Sequence, residues 1–163
     1  MMASAKLRRI SSREQGSAIV ETAMSIALLL TMLFGVMEGA FAVYSYHFIS
    51  DAAREGTRYA IVRGNSAGPT CSSYASSACS ATPAQIQSYV TNLGLPGINP
   101  DNMTVSVSNA GYPSGTPCTP SANCNNPGNQ VTVTVTYSFP LLVPFIPSHT
   151  YAMSSSAAMI IAQ

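Results

Sequence analysis

The longest hydrophobic run of the chain lies near its beginning. Mostly apolar residues extend from Thr22 to Met37 without a charge, and the run continues past the single acid Glu38 as far as Tyr46. A helix that crosses a bilayer needs about 20 residues. From Ser17 to Glu38 a helix would rise about 32 Å, at about 1.5 Å per residue. The pattern therefore predicts a transmembrane helix whose membrane part covers about residues 20–42.

Beyond the membrane part, the pattern keeps a helical period up to Tyr59. Apolar positions recur every three or four residues, and polar positions form a separate stripe. The apolar set is Phe41, Tyr44, Phe48, Ile49, Ala52, Ala53, Tyr59 and Ala60, and the polar set is His47, Asp51, Arg54 and Arg58. Gly64 supplies a stop signal, so one long helix over residues 17–63 is predicted. Gly35, Gly39 and Gly56 are points where such a helix could bend.

After residue 64 the chain shows one short helix and then the two-residue period of β-strands. Thr82, Pro83 and Gln85 provide an N-cap, a first-turn proline and a capping-box glutamine, which predicts a helix over 83–93. Alternating apolar and polar residues predict strands over 103–108, 131–137 and 151–159. The fold class is therefore α+β, with a small antiparallel sheet of a 64–163 domain packed on the C-terminal half of the long helix.

The segment 139–147 separates the last two predicted strands. It is apolar and contains three prolines, which argues against a central strand. Two interpretations remain open: a loop folded onto the core, or a patch that faces the membrane or a partner.

Charge is scarce and is concentrated at the front of the chain. Only 8% of the residues are charged, against a norm of about 25%. Of the seven basic and six acidic residues, Asp101 alone lies beyond Arg63. The chain therefore has no basic stripe that could neutralise phosphates, and nucleic acid is excluded as a partner.

The basic residues at the front predict the orientation of the helix in a membrane. Lys6, Arg8, Arg9 and Arg13 precede the apolar run and form a basic leader over residues 1–16. The positive-inside rule keeps this end in the cytoplasm and sends the C-terminal domain across the membrane.

The four cysteines predict an oxidising compartment. They form two close pairs, Cys71 with Cys79 and Cys118 with Cys124. Three connectivities are open, of which pairing within each loop is the simplest. The spacings do not match zinc sites, and the histidines His47 and His149 are distant in sequence. We therefore predict disulfides, no metal site and a location outside the cytoplasm.

The entrance of the apolar helix carries an unusual arrangement of a glycine and a carboxylate. Four uncharged residues separate Gly16 from Glu21. Cleavage after Gly16 would expose an amine at Ser17, and burying it in a helix bundle is costly unless an anion meets it. Glu21, one turn away, could be that anion. We interpret this stretch as a processing and assembly signal of the prepilin type, with an uncleaved anchor as the alternative.

Two further choices concern the other end of the membrane part. Glu38 is either an acid at the outer membrane interface or a contact to a partner subunit within the membrane. Ala40-Phe41-Ala42 fits the cleavage rule of a secretory signal, which would release residues 43–163. The apolar run is longer than such signals usually are, and the helical pattern continues through the cut.

No catalytic constellation is present in the sequence. Asp101 is the only acid of the C-terminal part, and His149 has no partner at a meaningful spacing. A Gly-rich phosphate loop and a His-Glu-x-x-His motif are both missing. We therefore predict that the protein is not an enzyme and has no cofactor.

Several blocks of the chain match the pattern of a known family. They are Gly16-Ser17-Ala18-Ile19-Val20-Glu21, Gly35-Val36-Met37-Glu38, and the run Asp51-Ala52-Ala53-Arg54-Glu55-Gly56-Thr57-Arg58-Tyr59-Ala60. The C-terminal residues 133–140 and 154–159 fit as well, whereas 64–130 are not covered. With these blocks the chain resembles the TadE-like proteins, which are pseudopilins of the tight-adherence (Flp) pilus system.

The resemblance implies a minor pseudopilin of the bacterial inner membrane, with a pilin-like fold and a domain in the periplasm. A prepilin peptidase would cut it after Gly16. Its partners would be other pseudopilins, the major Flp pilin and the inner-membrane assembly platform, in addition to membrane lipid. It would support adhesion and biofilm formation as an assembly factor. The alternative is an uncleaved, single-pass periplasmic binding module.

Overall fold

The computed structural model describes residues 4–65, 68, 70–71, 79–94, 96–111, 124–142 and 147–162, with side chains from Gly16 onward. The chain divides into two compact units. One consists of Met1–Phe41 and Leu141–Ser148, and the other of Ala42–Pro140 and His149–Gln163.

The first element is helix α1, Ser4–Ile61, which has 58 residues. It includes the three glycines at which a bend was considered, Gly35, Gly39 and Gly56, and it ends close to the predicted position. It begins earlier than predicted, inside the basic leader. The reason is local composition, because residues 4–15 contain Ala, Leu, Lys, Arg, Glu and Gln and no glycine or proline. These are good helix formers.

Helix α2, Pro83–Thr91, has the predicted start. The Thr82 side chain accepts a hydrogen bond from the Gln85 amide, and the Gln85 side chain accepts one from the Thr82 amide. This capping box satisfies amides that have no partner inside the helix. Ile86 and Val90 are buried, as their spacing predicts. A single 3-10 turn, Pro100–Asn102, then leads into the sheet.

The sheet has three antiparallel strands in the order β1-β2-β3. The strands are β1, Met103–Ala110; β2, Gln130–Leu141; and β3, His149–Ile160. In the β1–β2 ladder, Met103 pairs with Tyr137 and Ala110 with Gln130. One face is buried: in β2 every second residue points into the core, namely Val131, Val133, Val135, Tyr137 and Phe139. This is the pattern of a sheet with one solvated face.

The expectation that the prolines exclude a central strand at residues 139–141 is wrong. Strand β2 is the central strand and continues through Phe139 and Pro140 to Leu141. The ladder with β1 ends at Tyr137, so this last part of β2 has no β1 partner along one edge. A proline is tolerated where a strand edge is not paired. Leu142 follows and is exposed, and residues 143–146 of the predicted loop lie outside the described part.

In the larger unit, the C-terminal part of α1 packs on the sheet, which confirms the predicted α+β fold. The buried face of α1 consists of Ser45, Phe48, Ile49, Ala52, Ala53, Gly56, Thr57, Tyr59 and Ala60. Its residues are mostly small, so the helix backbone lies close to the strands. The polar set His47, Asp51, Arg54 and Arg58 is exposed, as the periodicity predicts.

One asparagine links the end of α1 to both cysteine-containing segments. The Asn125 side-chain amide donates to the carbonyls of Arg63 and Ala81, at 3.1 and 3.0 Å. The Asn65 amide donates to the Asn125 carbonyl at 2.7 Å, and the Ala81 amide to the Arg63 carbonyl at 2.9 Å. These bonds satisfy backbone carbonyls of Arg63, just after α1, and of Ala81, just before α2.

Candidate functional site

The apolar stretch of α1, which contains most of the predicted membrane part, presents an apolar surface. Its large apolar side chains are between 39% and 74% exposed in the set Ile19, Val20, Met24, Ile26, Leu28, Leu29, Leu30, Met32, Leu33, Phe34, Val36 and Met37. Burying one such side chain is worth about 1.5–3 kcal/mol, so the set represents on the order of 20 kcal/mol. Among the described residues, α1 from Gly16 to Ile61 contains one stretch that is long and apolar enough to cross a membrane. The helix is thus compatible with a single-pass anchor.

The hydroxyl groups of this segment are satisfied within the helix itself. Thr22 donates to the Ala18 carbonyl at 2.8 Å, Ser25 to the Glu21 carbonyl at 2.9 Å and Thr31 to the Ala27 carbonyl at 2.8 Å. Lipid offers no hydrogen bonds, so polar groups in a spanning helix need such internal partners. The hydroxyls therefore do not oppose insertion.

The residues of the predicted processing signal lie on one continuous piece of helix. Gly16, Ser17 and Glu21 are all exposed, and a Cβ atom at Gly16 would have no atom within 4 Å. Glu38, at the other end of the charge-free run, is half-buried. The carboxylates of Glu21 and Glu38 are thus the two acids that bound the apolar surface.

In the larger unit, Gly56 and Thr57 allow α1 to approach its neighbours closely. A Cβ atom at Gly56 would lie 2.6 Å from Val90 Cγ2 in α2 and 3.1 Å from Val133 Cγ1 in β2. Thr57 is fully buried and donates to the Ala53 carbonyl at 2.6 Å and to the Ala157 carbonyl of β3 at 3.3 Å. Residues 56 and 57 therefore join the helix to α2 and to two strands.

An aromatic cluster joins α1 to α2 on the other side of this contact. The rings of Tyr59 and Tyr89 stack at 4.2 Å, and the Arg63 guanidinium lies 4.0 Å from the centre of the Tyr59 ring. The Tyr89 hydroxyl donates to Glu55 Oε1 at 3.1 Å. Burial, and then this bond and the negative charge of Glu55, raise the pKa of Tyr89 above its ordinary value. The cluster fixes the orientation of α2 relative to α1.

A groove on the exposed side of the same helix combines apolar and charged residues. Its volume is about 410 Å³, and it is lined by Phe48, Asp51, Ala52, Arg54, Glu55, Arg58 and Leu93. Arg54 lies 3.6 Å from Asp51, and Arg58 lies 3.9 Å from Glu55. These side chains are 44% to 77% exposed, so each pair contributes little to stability. The groove is therefore a polar-rimmed surface with an apolar floor.

The cysteines give information about the redox environment of the protein rather than about a catalytic or metal site. A disulfide joins Cys71 and Cys79, which confirms the prediction of a disulfide. Cys124 is also disulfide-bonded, and Cys118 lies outside the described residues. Among the residues with described positions, no group of three or more His, Cys, Asp and Glu side chains could hold a metal. His149 is exposed at the start of β3.

Sequence reasoning did not identify the contacts made by Gly56, Tyr89 and Asn125. Small residues recur at 52, 53, 56, 57 and 60, which is the helical spacing of a close contact, so the role of Gly56 was accessible from the pattern. Tyr89 and Asn125 follow no such period. Their partners lie 34 and 62 residues away in sequence, as Glu55 and Arg63.

Comparison with known proteins finds a similarity to one family in the first part of the chain. Residues 16–58 match the family model described as TadE-like protein. The match begins at Gly16 and ends within the exposed charged stripe, and it confirms the resemblance. No curated protein and no solved structure shows a significant match. TadE-like proteins belong to the tight-adherence pilus system, have pilin-type partners and are structural pilus components rather than enzymes.

Proposed function

Because the chain is TadE-like over residues 16–58, we propose that it is a minor pseudopilin that takes part in assembly of tight-adherence pili. The observation that supports this most directly is the helix that starts the match. Gly16, Ser17 and Glu21 stand at the head of an exposed apolar surface. In this proposal a prepilin peptidase cuts after Gly16, and Ser17 becomes the first residue of the mature protein.

Glycine favours this position for cleavage on physical grounds. Glycine in a helix interior is less stable than alanine by about 1 kcal/mol. Unwinding of α1 into the extended form that a peptidase can bind is therefore easiest around Gly16. The open space around its Cα also allows a protease to approach.

Glu21 would act as the counter-ion in the assembly. Packing the apolar helices together buries the Ser17 amine, which needs an anion in a dry environment. In the stretch from Ser17 to Met37, Glu21 is the only acid. Its carboxylate would accept the amine of its own or of a neighbouring subunit, and the positive end of the helix would favour it as well.

The charges and the cysteines support the proposed topology. The four basic residues before Gly16 favour a cytoplasmic N-terminus in the inner membrane. The Cys71–Cys79 disulfide supports an oxidising compartment, which in this proposal is the periplasm on the other side of the membrane. The partners would be the prepilin peptidase, related pseudopilins, the major Flp pilin and the inner-membrane assembly platform.

Sequencing the N-terminus of the protein purified from membranes tests the proposal. We expect Ser17 as the first residue. An N-terminus at Val43 would instead identify a released secretory protein. An intact Met1 or Met2 would favour the uncleaved anchor with a periplasmic binding role.

A pair of variants separates processing from assembly. We expect Glu21→Ala to be exported and to form its Cys71–Cys79 disulfide, but to lose co-purification with partner pilins. Ser25→Ala is the matched control, because its hydroxyl bonds only within the helix in the described structure, to the Glu21 carbonyl. If the two variants co-purify equally well with partner pilins, Glu21 has no role in assembly.

A further inference from the structure

We propose that the groove on α1 is a contact site for a second copy of this chain, which lies parallel to the first and is displaced by three residues along the helix. The second copy would insert the side chains of its Arg54 and Arg58 into the groove. The parallel direction rests on the proposed function, because copies anchored in one membrane from the same side must run the same way.

Charge placement is the first argument. In the larger unit, four of the six charged residues lie within two turns of α1, at Asp51, Arg54, Glu55 and Arg58, although the chain as a whole is only 8% charged. The two acids are four residues apart, and so are the two arginines, so each sign forms its own row along the helix. The spacing of the acidic row in one copy therefore equals the spacing of the arginine row in another copy.

The order of the charges selects the displacement. A shift of three residues, about 4.5 Å along the helix, brings Asp51 opposite the Arg54 of the second copy and Glu55 opposite its Arg58. Without a shift, like charges face each other, and a shift of seven residues pairs only Asp51 with Arg58. An antiparallel contact would also pair the charges, but a common membrane anchor excludes it.

The shape of the groove is the second argument. Its floor is apolar, formed by Phe48, Ala52 and Leu93, while Asp51 and Glu55 stand at its rim. Arginine suits such a site, because its aliphatic stem covers apolar surface while the guanidinium reaches a carboxylate. A simple apolar side chain could cover the apolar lining, but it would add no partner for Asp51 and Glu55 beyond the long ion pairs within the chain.

The existing ion pairs do not compete strongly with this contact. Both pairs within the chain are long, at 3.6 and 3.9 Å, and all four side chains are 44% to 77% exposed. Pairs of this kind are worth little in water and exchange partners readily. Because the contact joins two different faces, it leaves one face of each copy open, and such contacts build open helical arrays rather than closed pairs.

Crosslinking of the full-length protein in membranes tests the displacement. Two copies with different tags are expressed together, one with Asp51→Cys and the other with Arg54→Cys. We expect a mixed disulfide-linked dimer from this pair and little from two copies that both carry Asp51→Cys. Tagged copies without added cysteines provide the background from the native cysteines.

Three outcomes of this experiment are informative. Preferential crosslinking of position 51 to position 54 supports the displaced parallel contact. Stronger 51–51 crosslinking, or none above background while the N-terminus is Ser17 and the protein remains in the membrane, overturns it and leaves the proposed function intact. Loss of the membrane anchor or of Ser17 as the N-terminus would overturn the proposed function first.

A charge exchange gives an independent check at two exposed positions. Asp51→Arg alone and Arg54→Asp alone should each reduce co-purification of two tagged copies, since like charges then meet at the contact. Co-expression of the two variants should restore it, because Arg at 51 faces Asp at 54. Failure of the mixed pair to recover would contradict the proposal.

Discussion

Replacing Gly56 with alanine places a methyl group where α1, α2 and β2 meet. The new Cβ atom would lie 2.6 Å from Val90 Cγ2 and 3.1 Å from Val133 Cγ1. Neither neighbour can yield easily, because both valines are fully buried and β-branched side chains have little rotamer freedom. The change must therefore push α1 away from α2 or strain the valines.

The expected loss of unfolding free energy in Gly56→Ala follows from two opposing effects. Extra methyl groups in a packed core cost about 1–3 kcal/mol. Alanine is better than glycine in a helix by about 1 kcal/mol, which offsets part of that cost. We therefore expect Gly56→Ala to lower the free energy of unfolding by roughly 1 kcal/mol, or about 4–8 °C in melting temperature for a unit of this size.

Thermal unfolding of the full chain in detergent, followed by circular dichroism with the disulfides intact, measures this loss. Gly39→Ala is the control, because a Cβ atom there meets nothing within 4 Å, and it should not lower the melting temperature. The double variant Gly56→Ala with Val90→Ala should lose less than the sum of the single losses, since the shorter side chain removes the closest contact. A Gly56→Ala protein as stable as the wild type, or strict additivity of the two changes, would refute the reasoning.

Three further changes test other contacts of the same unit. Ultraviolet titration, with Tyr89→Phe as the reference, should show that Tyr89 ionises above pH 10, and Glu55→Gln should lower this pKa part of the way towards its ordinary value. Because the pKa of Tyr89 is raised in the folded state, the contribution of the neutral Tyr89 to folding stability is complete below pH 10. It is lost as the pH rises through the folded pKa. Thr57→Val should cost about 1 kcal/mol in a denaturant titration because a buried hydroxyl donor is lost, whereas Thr57→Ser should retain most of the stability. Changing both Cys71 and Cys79 to serine should cost about 2.5 kcal/mol from the entropy of a loop with a sequence separation of 8, and an unchanged melting curve would contradict this estimate.

The elements that sequence predicts well are those whose pattern is local. The capping box of Thr82 and Gln85 and the alternation of β2 need only neighbouring residues, and both are present in the structure. From Phe48 onward, the exposed and buried faces of α1 follow from the helical period in the same way, whereas Phe41 and Tyr44 of the apolar set are exposed. Periodicity therefore determined the fold class and the surface that the charged stripe occupies.

The contacts that complete the site depend on distant residues and could not be predicted. Pro140 lies in a central strand because β1 is too short to pair beside it, and the length of β1 is not a property of the proline segment. The groove needs Leu93 from the end of α2 next to Phe48 on α1. No periodic pattern in the sequence links Leu93 to Phe48. The groove can therefore be recognised only once the position of α2 beside α1 is known.

The hydrogen bonds of Asn125 have a consequence for the order in which the larger unit folds. The end of α1 is completed by a side chain 62 residues later, and Thr57 bonds to a carbonyl 100 residues later in the chain. The larger unit therefore cannot close before these later residues are available, because such distant contacts must wait for the chain that makes them. During that interval the apolar face of α1 between Phe48 and Ala60 stays uncovered. If the unit crosses a membrane as proposed, a chaperone that shields this face would bind the protein before any partner subunit does.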